Sequence, residues 1–267
     1  MEKFVSREDT GNPFPIFGYD SDPNAILRPN HAGLEIDFPE YLVVCFFREV
    51  VSKVAEENQA EILHTVVSEG GLYHFYAINF KGKRIAFVQP GVGAPIAGAI
   101  LEKAIAFGAK HIVACGGCGV LDKEIAVGHV LLPTLAYREE GLSYHYLPPS
   151  EAIEIEPRTI EVLETVLKEN QIDYLSTKVW TTDAVYRETL KKTAYYKAKG
   201  CLAVEMELSG LAAVAKFRGV DFGQYLYAGD TVVPEGWDKR DWVNRKDIRE
   251  TLFWLSAEAC LRLGEES

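Results

Sequence analysis

The chain has 267 residues, 48% of them hydrophobic and 25% charged, and a formal net charge of −11. That length supports a full hydrophobic core, and the composition is that of a soluble globular protein. The acidic balance argues against nucleic acid and anionic membrane surfaces as partners, since both are held by clustered Lys and Arg.

The start, MEKFVSREDTGNPF, has no apolar stretch after its charges of the kind a secretion signal carries. No apolar run is long enough to span a bilayer. The five cysteines (Cys45, Cys115, Cys118, Cys201, Cys260) follow no disulfide framework, so reduced thiols and a cytoplasmic protein are expected. Residues 1–40 are rich in Pro, Gly, Asn and Asp and read as an irregular arm with turns. Phe14, Ile16, Phe17 and Tyr19 give that arm apolar groups to pack on the body or on a neighbouring subunit.

From Tyr41 strands and helices alternate. YLVVCFF is a short apolar run, as in a buried strand, and VVSKVAEE has helical spacing. LYHFYAINFKGKRIAFVQP predicts a hairpin turning at Lys81-Gly82. PIAGAILEKAIAFGA predicts an amphipathic helix closed by Gly108, and KHIVACGG a strand running into a turn. Further on come a helix (TIEVLETVLKENQI), a strand into a loop (STKVWTTDAVY) and a strand followed by a helix (LAVEMELSGLAAVAKFRG). DFGQYLYAGDTVV reads as a buried strand and DIRETLFWLSAEACLRL as the closing helix. This alternation, without repeats or internal linkers, predicts one α/β domain over residues 41–267 with a largely buried sheet.

ACGGCGVL, residues 114–121, holds a Cys-x-x-Cys. A redox pair belongs at a helix start, and a zinc site needs four ligands. The adjoining GVLDKEIAVGHVLLP reads as a turn into another strand, and there is no second Cys-x-x-Cys. The glycines Gly116, Gly117 and Gly119 are therefore the informative residues: they let the backbone approach a ligand at a strand's C-terminal end. PGVGAPIAGAI, residues 90–100, is a similar strand, glycine turn and helix, without the ending of a P-loop or the spacing of a dinucleotide site. Glu205 and Glu207 stand two apart before a helix, on one face if the stretch is a strand. Side-by-side carboxylates repel unless hydroxyls or a cation use them, and vicinal sugar hydroxyls suit. A single exposed Glu beside a helix N-terminus is the other reading of the same stretch.

As an ordered set these stretches resemble the nucleoside phosphorylase family, which includes uridine phosphorylase, hexameric bacterial purine nucleoside phosphorylase, methylthioadenosine nucleosidase and AMP nucleosidase. Glu205-Met206-Glu207 resembles its ribose-binding signature, and GVGAPIAGAILEKAIAFGAKHIVACGGCGVL its two glycine loops and the helix between them. VGHVLLPTLAYREEGLSYHY, with Arg138, Gly141, Ser143 and His145, is similar to the family's next stretch, and VWTTDAVYRET to the loop over the base. YLYAGDTV places Asp230 where purine-cleaving members carry their acid.

The resemblance, from about Tyr41 to Val233, implies a mixed, partly barrel-like central sheet flanked by helices. It also implies homodimers or homohexamers that share site residues. It implies cleavage of an N-glycosidic bond with no metal and no cofactor, phosphate being a possible co-substrate. Glu205, Met206, Glu207 and His31 would hold the ribose, with Glu207 and Asp230 catalytic. Thr182, Asp183, Tyr186, Arg187, Gly116 and Gly117 would face the base. Gly91, Gly93, Arg48 and Cys118 would form the phosphate or water site. This sequence departs from the family at the phosphate site. Phe46 and Phe47 replace a small turn, Ala114 stands at an arginine position, Gly117 at a hydroxyl position, and Gly70 and Gly71 near the place of a lent arginine. Arg48 and Arg187 are the candidate replacements. No uracil-reading Gln and Arg follow Tyr186, so a purine is expected. Phosphorolysis to base and ribose 1-phosphate is the nominal reaction. Hydrolysis is its alternative, with a non-catalytic nucleoside-binding protein and a thiol oxidoreductase on Cys115 and Cys118 as further readings.

Overall fold

The computed structural model describes residues 14–265. In chain order they form β1 (Tyr41–Cys45), α1 (Arg48–Glu57), β2 (Glu61–Ser68), β3 (Gly71–Phe80), β4 (Lys83–Val88), α2 (Ala94–Phe107), β5 (His111–Val120), β6 (Val130–Glu139) and β7 (Ala152–Glu154). After these come α3 (Pro157–Glu169), β8 (Tyr174–Thr182), α4 (Leu190–Ala198), β9 (Cys201–Glu205), α5 (Leu208–Arg218), β10 (Asp221–Val233), β11 (Gly236–Asp238) and α6 (Lys246–Glu265).

β1 shows how the sequence builds the core. It runs parallel to β4 on one side and β5 on the other, and Leu42 to Cys45 are at most 1% exposed. Its side chains alternate between two layers: Leu42 and Val44 pack in one apolar cluster, Val43 and Cys45 in the other. The first layer is completed by α2 and α5 through residues such as Ile100, Leu101, Leu208 and Leu211. The second is completed by α1, α3 and α6 through Val50, Val54, Val166 and Phe253.

The strands form one mixed sheet in the order β11-β10-β6-β8-β9-β5-β1-β4-β3-β2, with β7 on β6. Because β10 also pairs with β5, the strands β5, β10, β6, β8 and β9 close into a ring. The ring is the barrel-like part, and β1 to β4 extend it as an open wing. This is the α/β architecture expected. The β3–β4 hairpin turns at Lys81 (φ 48°) and Gly82 (φ 79°), as its sequence predicts. α5 is buried from Leu208 to Ala215, its Ser209 hydroxyl donating to Glu140, so it forms the centre of its layer.

The stretch expected to turn at ACGG does not. β5 continues through the glycines to Val120, paired with β10 at Gly116, Gly117 and Cys118 and with β9 at Gly119 and Val120. Close approach is the reason for these glycines. A Cβ on Gly117 would lie 3.2 Å from the Tyr227 ring, and one on Gly119 3.0 Å from Val232. Residues three apart on a strand point to opposite faces, and Cys115 and Cys118 accordingly sit in different clusters. Both are buried free thiols, and burial pushes the Cys118 thiol up. That geometry does not suit a thiol oxidoreductase.

Residues 14–40 carry no strand and a single short 3-10 turn, Pro15–Phe17. They lie against the body: Phe17 meets Tyr144 edge-on at 5.1 Å, Arg218 donates to the Pro23 carbonyl and Lys103 to that of Pro29. The first part of the expected arm, residues 1–13, lies outside the described residues.

Candidate active site

The ends of β5, β9 and β10 surround a cavity of about 230 Å³. Glu205 closes β9 and is 6% exposed. Its Oε2 accepts from the backbone N–H of Glu207 (2.8 Å) and of Leu208 (2.7 Å), and its Oε1 from the Thr181 hydroxyl (2.6 Å). One carboxylate oxygen thus satisfies two amides at the start of α5, where the helix dipole favours negative charge.

Glu207 is not the next outward residue of the strand, as alternation would have it. It is the N-cap of α5, and the chain's turn brings it to the same cavity. Its Oε1 accepts from the Gly93 N–H at 2.6 Å, and the Met206 carbonyl accepts from Ala94 N–H at 2.9 Å. Gly91 (φ 85°) and Gly93 (φ 101°) adopt left-handed backbone to make this approach. They position the acidic segment, while Val92 between them faces the cavity. Burial pushes both carboxyls up from the ordinary glutamate value, and the Glu207 charge pushes Glu205 further.

Across the cavity stands Asp230, beside a register shift in β10 between Ala228 and Thr231. Its Oδ2 accepts from the Trp237 indole N–H at 2.6 Å. Arg240 donates to the carbonyls of Gly229 and Ile125 and braces that irregular backbone. Glu188 lines the same cavity, and burial, with Asp230 and Glu139 nearby, pushes its carboxyl up to about 7.

The rest of the wall includes Phe46, Phe47, Gly116, Gly117, Cys118, Trp242 and Arg249. Arg249, from α6, lies 4.6 Å over the Phe47 ring and pairs with Glu49 at 2.5 Å. Its buried Nε–H has no acceptor. Among the described residues lining the cavity it is the one cation, against the carboxyls of Glu188, Glu205, Glu207 and Asp230.

The structure therefore brings together Glu205, Met206, Glu207, Gly116, Gly117, Cys118 and Asp230. Gly91 and Gly93 flank Val92 at the cavity's edge, and the other candidates stand elsewhere. Arg48 is exposed on the first turn of α1, and Arg187 and Tyr186 are exposed on the loop after β8. Asp183 accepts from the Gly141 N–H, and buried Thr182 accepts from the Ala184 N–H. His31 lines a separate groove with His145 and Lys103, between the arm and α2. Arg138 is buried and donates to Ser143, Ser150 and the Pro148 carbonyl, so it holds the segment after β6 in place. Sequence reasoning missed Glu188, Arg249, Trp237 and Trp242. Of these only Glu188 had a local signal, since it lies within VWTTDAVYRET.

Residues 40–251 match the family model described as the phosphorylase superfamily. The chain belongs to that superfamily. This phosphorylase-superfamily member is 27% identical over 221 residues to a DeoD-type purine nucleoside phosphorylase of Alkaliphilus metalliredigens, which covers 80% of this chain and 90% of the relative. Among solved structures, AMP nucleosidase of Bacteroides thetaiotaomicron is 22% identical with a TM-score of 0.69, covering 86% of this chain and 91% of that one. Uridine phosphorylase of Vibrio fischeri is 22% identical with a TM-score of 0.72, covering 91% of this chain and 100% of that one. Those two structures share the fold. As a superfamily member the protein is an enzyme of the phosphorylase or nucleosidase type.

Proposed function

We propose that this protein cleaves the N-glycosidic bond of a purine nucleoside, with water as the attacking group. The observation that carries this is the placing of Glu207 and Asp230 on one cavity, among glycines that leave room for a ligand. Bond breaking leaves positive charge on the sugar and an electron pair on the base. Glu207 accepts hydrogen bonds from the ribose 2′- and 3′-hydroxyls and sets a carboxylate beside the developing cation. Met206 packs on the sugar. Asp230 donates a proton to the purine N7 as the base leaves, and the water that bonds to the sugar carbon releases a proton in turn. Glu205 acts through Glu207: by holding the first amides of α5 it fixes where Glu207 points.

The charge of the cavity supports water. A phosphate dianion taken from solvent needs cations around it. Within this chain the cavity offers Arg249, already neutralised by Glu49, while Phe46, Phe47 and Gly117 offer none. Phosphorolysis is the second reading, favoured by the buried Arg249 Nε–H that lacks an acceptor. It requires Arg249 to exchange Glu49 for the incoming anion. We further propose that the protein works as a cytoplasmic homodimer or homohexamer, as the resemblance implies.

The test is chromatography of base and sugar after incubation with adenosine, inosine, guanosine and uridine, with and without phosphate. Purine base and free ribose, formed at the same rate without phosphate, are expected. Ribose 1-phosphate formed only with phosphate establishes the second reading. A nucleoside that binds without release of base identifies a non-catalytic binding protein.

A further inference from the structure

We propose that the groove beneath the arm is a second binding site, for a small phosphate monoester carrying a flat apolar ring, the class to which mononucleotides belong. The proposal stands apart from the reading of the acidic cavity. The groove measures about 620 Å³, within the roughly 300–1,000 Å³ typical of small-molecule sites. One wall is the arm, from Asp20 to His31, and the other is α2, the segment after β6 and the end of α5. The arm precedes the residues that match the superfamily model, so this wall lies outside the matched stretch. Two clips hold it over the groove: Arg218 donates to the Pro23 carbonyl and Lys103 to that of Pro29.

The charges of the groove are sorted. Each of its carboxylates is engaged: Glu102 takes the Arg218 guanidinium through both oxygens, Asp20 accepts from the Asp22 N–H, and Asp22 accepts from the backbone and side-chain amides of Asn24. Its bases are not so engaged. Among the described residues no carboxylate pairs with Arg28, His31, Lys103 or His145, all of which line the groove. In a chain of net charge −11, four basic groups gathered without counter-charge make a place for an anion. A phosphate monoester brings about two negative charges and three acceptor oxygens. Arg28 and Lys103 supply charged donors to it, and His31 and His145 supply ring N–H groups. Beside them the lining turns apolar with Leu27, Leu142, Tyr146 and Phe217, the last two rings meeting edge-on at 5.5 Å. That half suits a flat ring and not a bare anion. The polarity is the reverse of the acidic cavity, where one arginine faces four carboxyls.

The experiment titrates the full chain with phenyl phosphate and with inorganic phosphate by calorimetry. Phenyl phosphate has no sugar and no N-glycosidic bond, so it offers nothing to Glu207 and cannot be cleaved as a nucleoside. Wild type is expected to bind it about tenfold or more tighter than inorganic phosphate, from the apolar area of the ring. Arg28→Glu and Lys103→Gln are each expected to weaken that binding by about tenfold or more, the range of one hydrogen bond to a charged group. Arg28 is exposed, so its variant keeps the fold, and thermal unfolding checks both. Location is read without mutation from the ring-proton resonances of the six histidines, of which those of His31 and His145 are expected to shift. No binding of phenyl phosphate, binding unaltered in both variants, or binding that leaves His31 and His145 unmoved overturns the site. Equal affinities for phenyl phosphate and inorganic phosphate overturn the assigned ligand class.

Discussion

Replacing Glu205 distinguishes an acid that positions from one that reacts. Glu205→Ala removes the acceptor of the Thr181 hydroxyl and of the Glu207 and Leu208 amides. The hydroxyl can rotate, but the two amides are fixed by the first turn of α5. Each buried amide left without a partner costs about 1–3 kcal/mol. The void left by the side chain adds to this, and release of a buried carboxyl offsets part of it. The net loss is roughly 3–6 kcal/mol, a large share of the roughly 5–15 kcal/mol that holds a typical domain together. Glu205→Gln behaves differently because both amides share Oε2. A glutamine carbonyl in that place keeps both, its NH₂ turns to the Thr181 oxygen, and the cost is within about 1 kcal/mol. Urea unfolding of wild type and both variants measures this. A Glu205→Ala protein within about 1 kcal/mol of wild type, or a Glu205→Gln protein as damaged as the alanine variant, would refute the hydrogen-bond reasoning.

Glu207→Gln keeps an acceptor for the Gly93 N–H and removes repulsion from Glu205. It should lower kcat/KM for a purine nucleoside by about 10²- to 10⁴-fold, from two hydroxyl bonds to a charged group, while thermal stability is unchanged or higher. The pair also sets a pH trend. Both folded-state values are raised above 4.5, so the stability these groups contribute is complete below about 4.5 and is lost as pH rises through about 7 to 8. The Tm of the unliganded protein should fall across that window, and less steeply in Glu207→Gln. Gly210→Val tests the contact of α2 with α5, where a Cβ would lie 2.8 Å from that of Ala94 and 3.2 Å from Leu142. Overpacking of this kind costs about 1–3 kcal/mol, or roughly 2–10 °C in Tm by calorimetry.

Much of the fold is legible in local pattern. The apolar run at β1, the Lys81-Gly82 turn, the Gly108 stop of α2 and the helix after Glu207 each follow from composition and spacing. The strand through Gly116–Gly119 was not legible, because a run of glycines looks like a turn until Tyr227, Val204 and Val232 are known to press on it. β2 mixes apolar and polar residues at the sheet's edge and leaves Ile62 and Val67 exposed, and α4 buries only Thr193, so neither presents a clear stripe. At the site, Glu205 at the end of β9, Glu207 at the start of α5 and Asp230 inside β10 declare themselves through the motifs that carry them. Arg249 does not. It sits on a helix whose spacing says only that one side is buried, and the packing of α6 brings it beside Phe47. Arg48 and Arg187 were nearer in sequence to the expected anion site, yet both face outward.

The most direct test of the account is the affinity of a purine nucleoside analogue whose sugar is a cationic iminoribitol. It carries the charge that the ribose acquires as the bond breaks. Wild type is expected to bind it at least about 10²-fold more tightly than the corresponding nucleoside, with that advantage lost in Glu207→Gln. Equal affinities for the cationic and neutral sugars, in a folded protein with Glu207 intact, would contradict the placement of that carboxylate beside a developing cation.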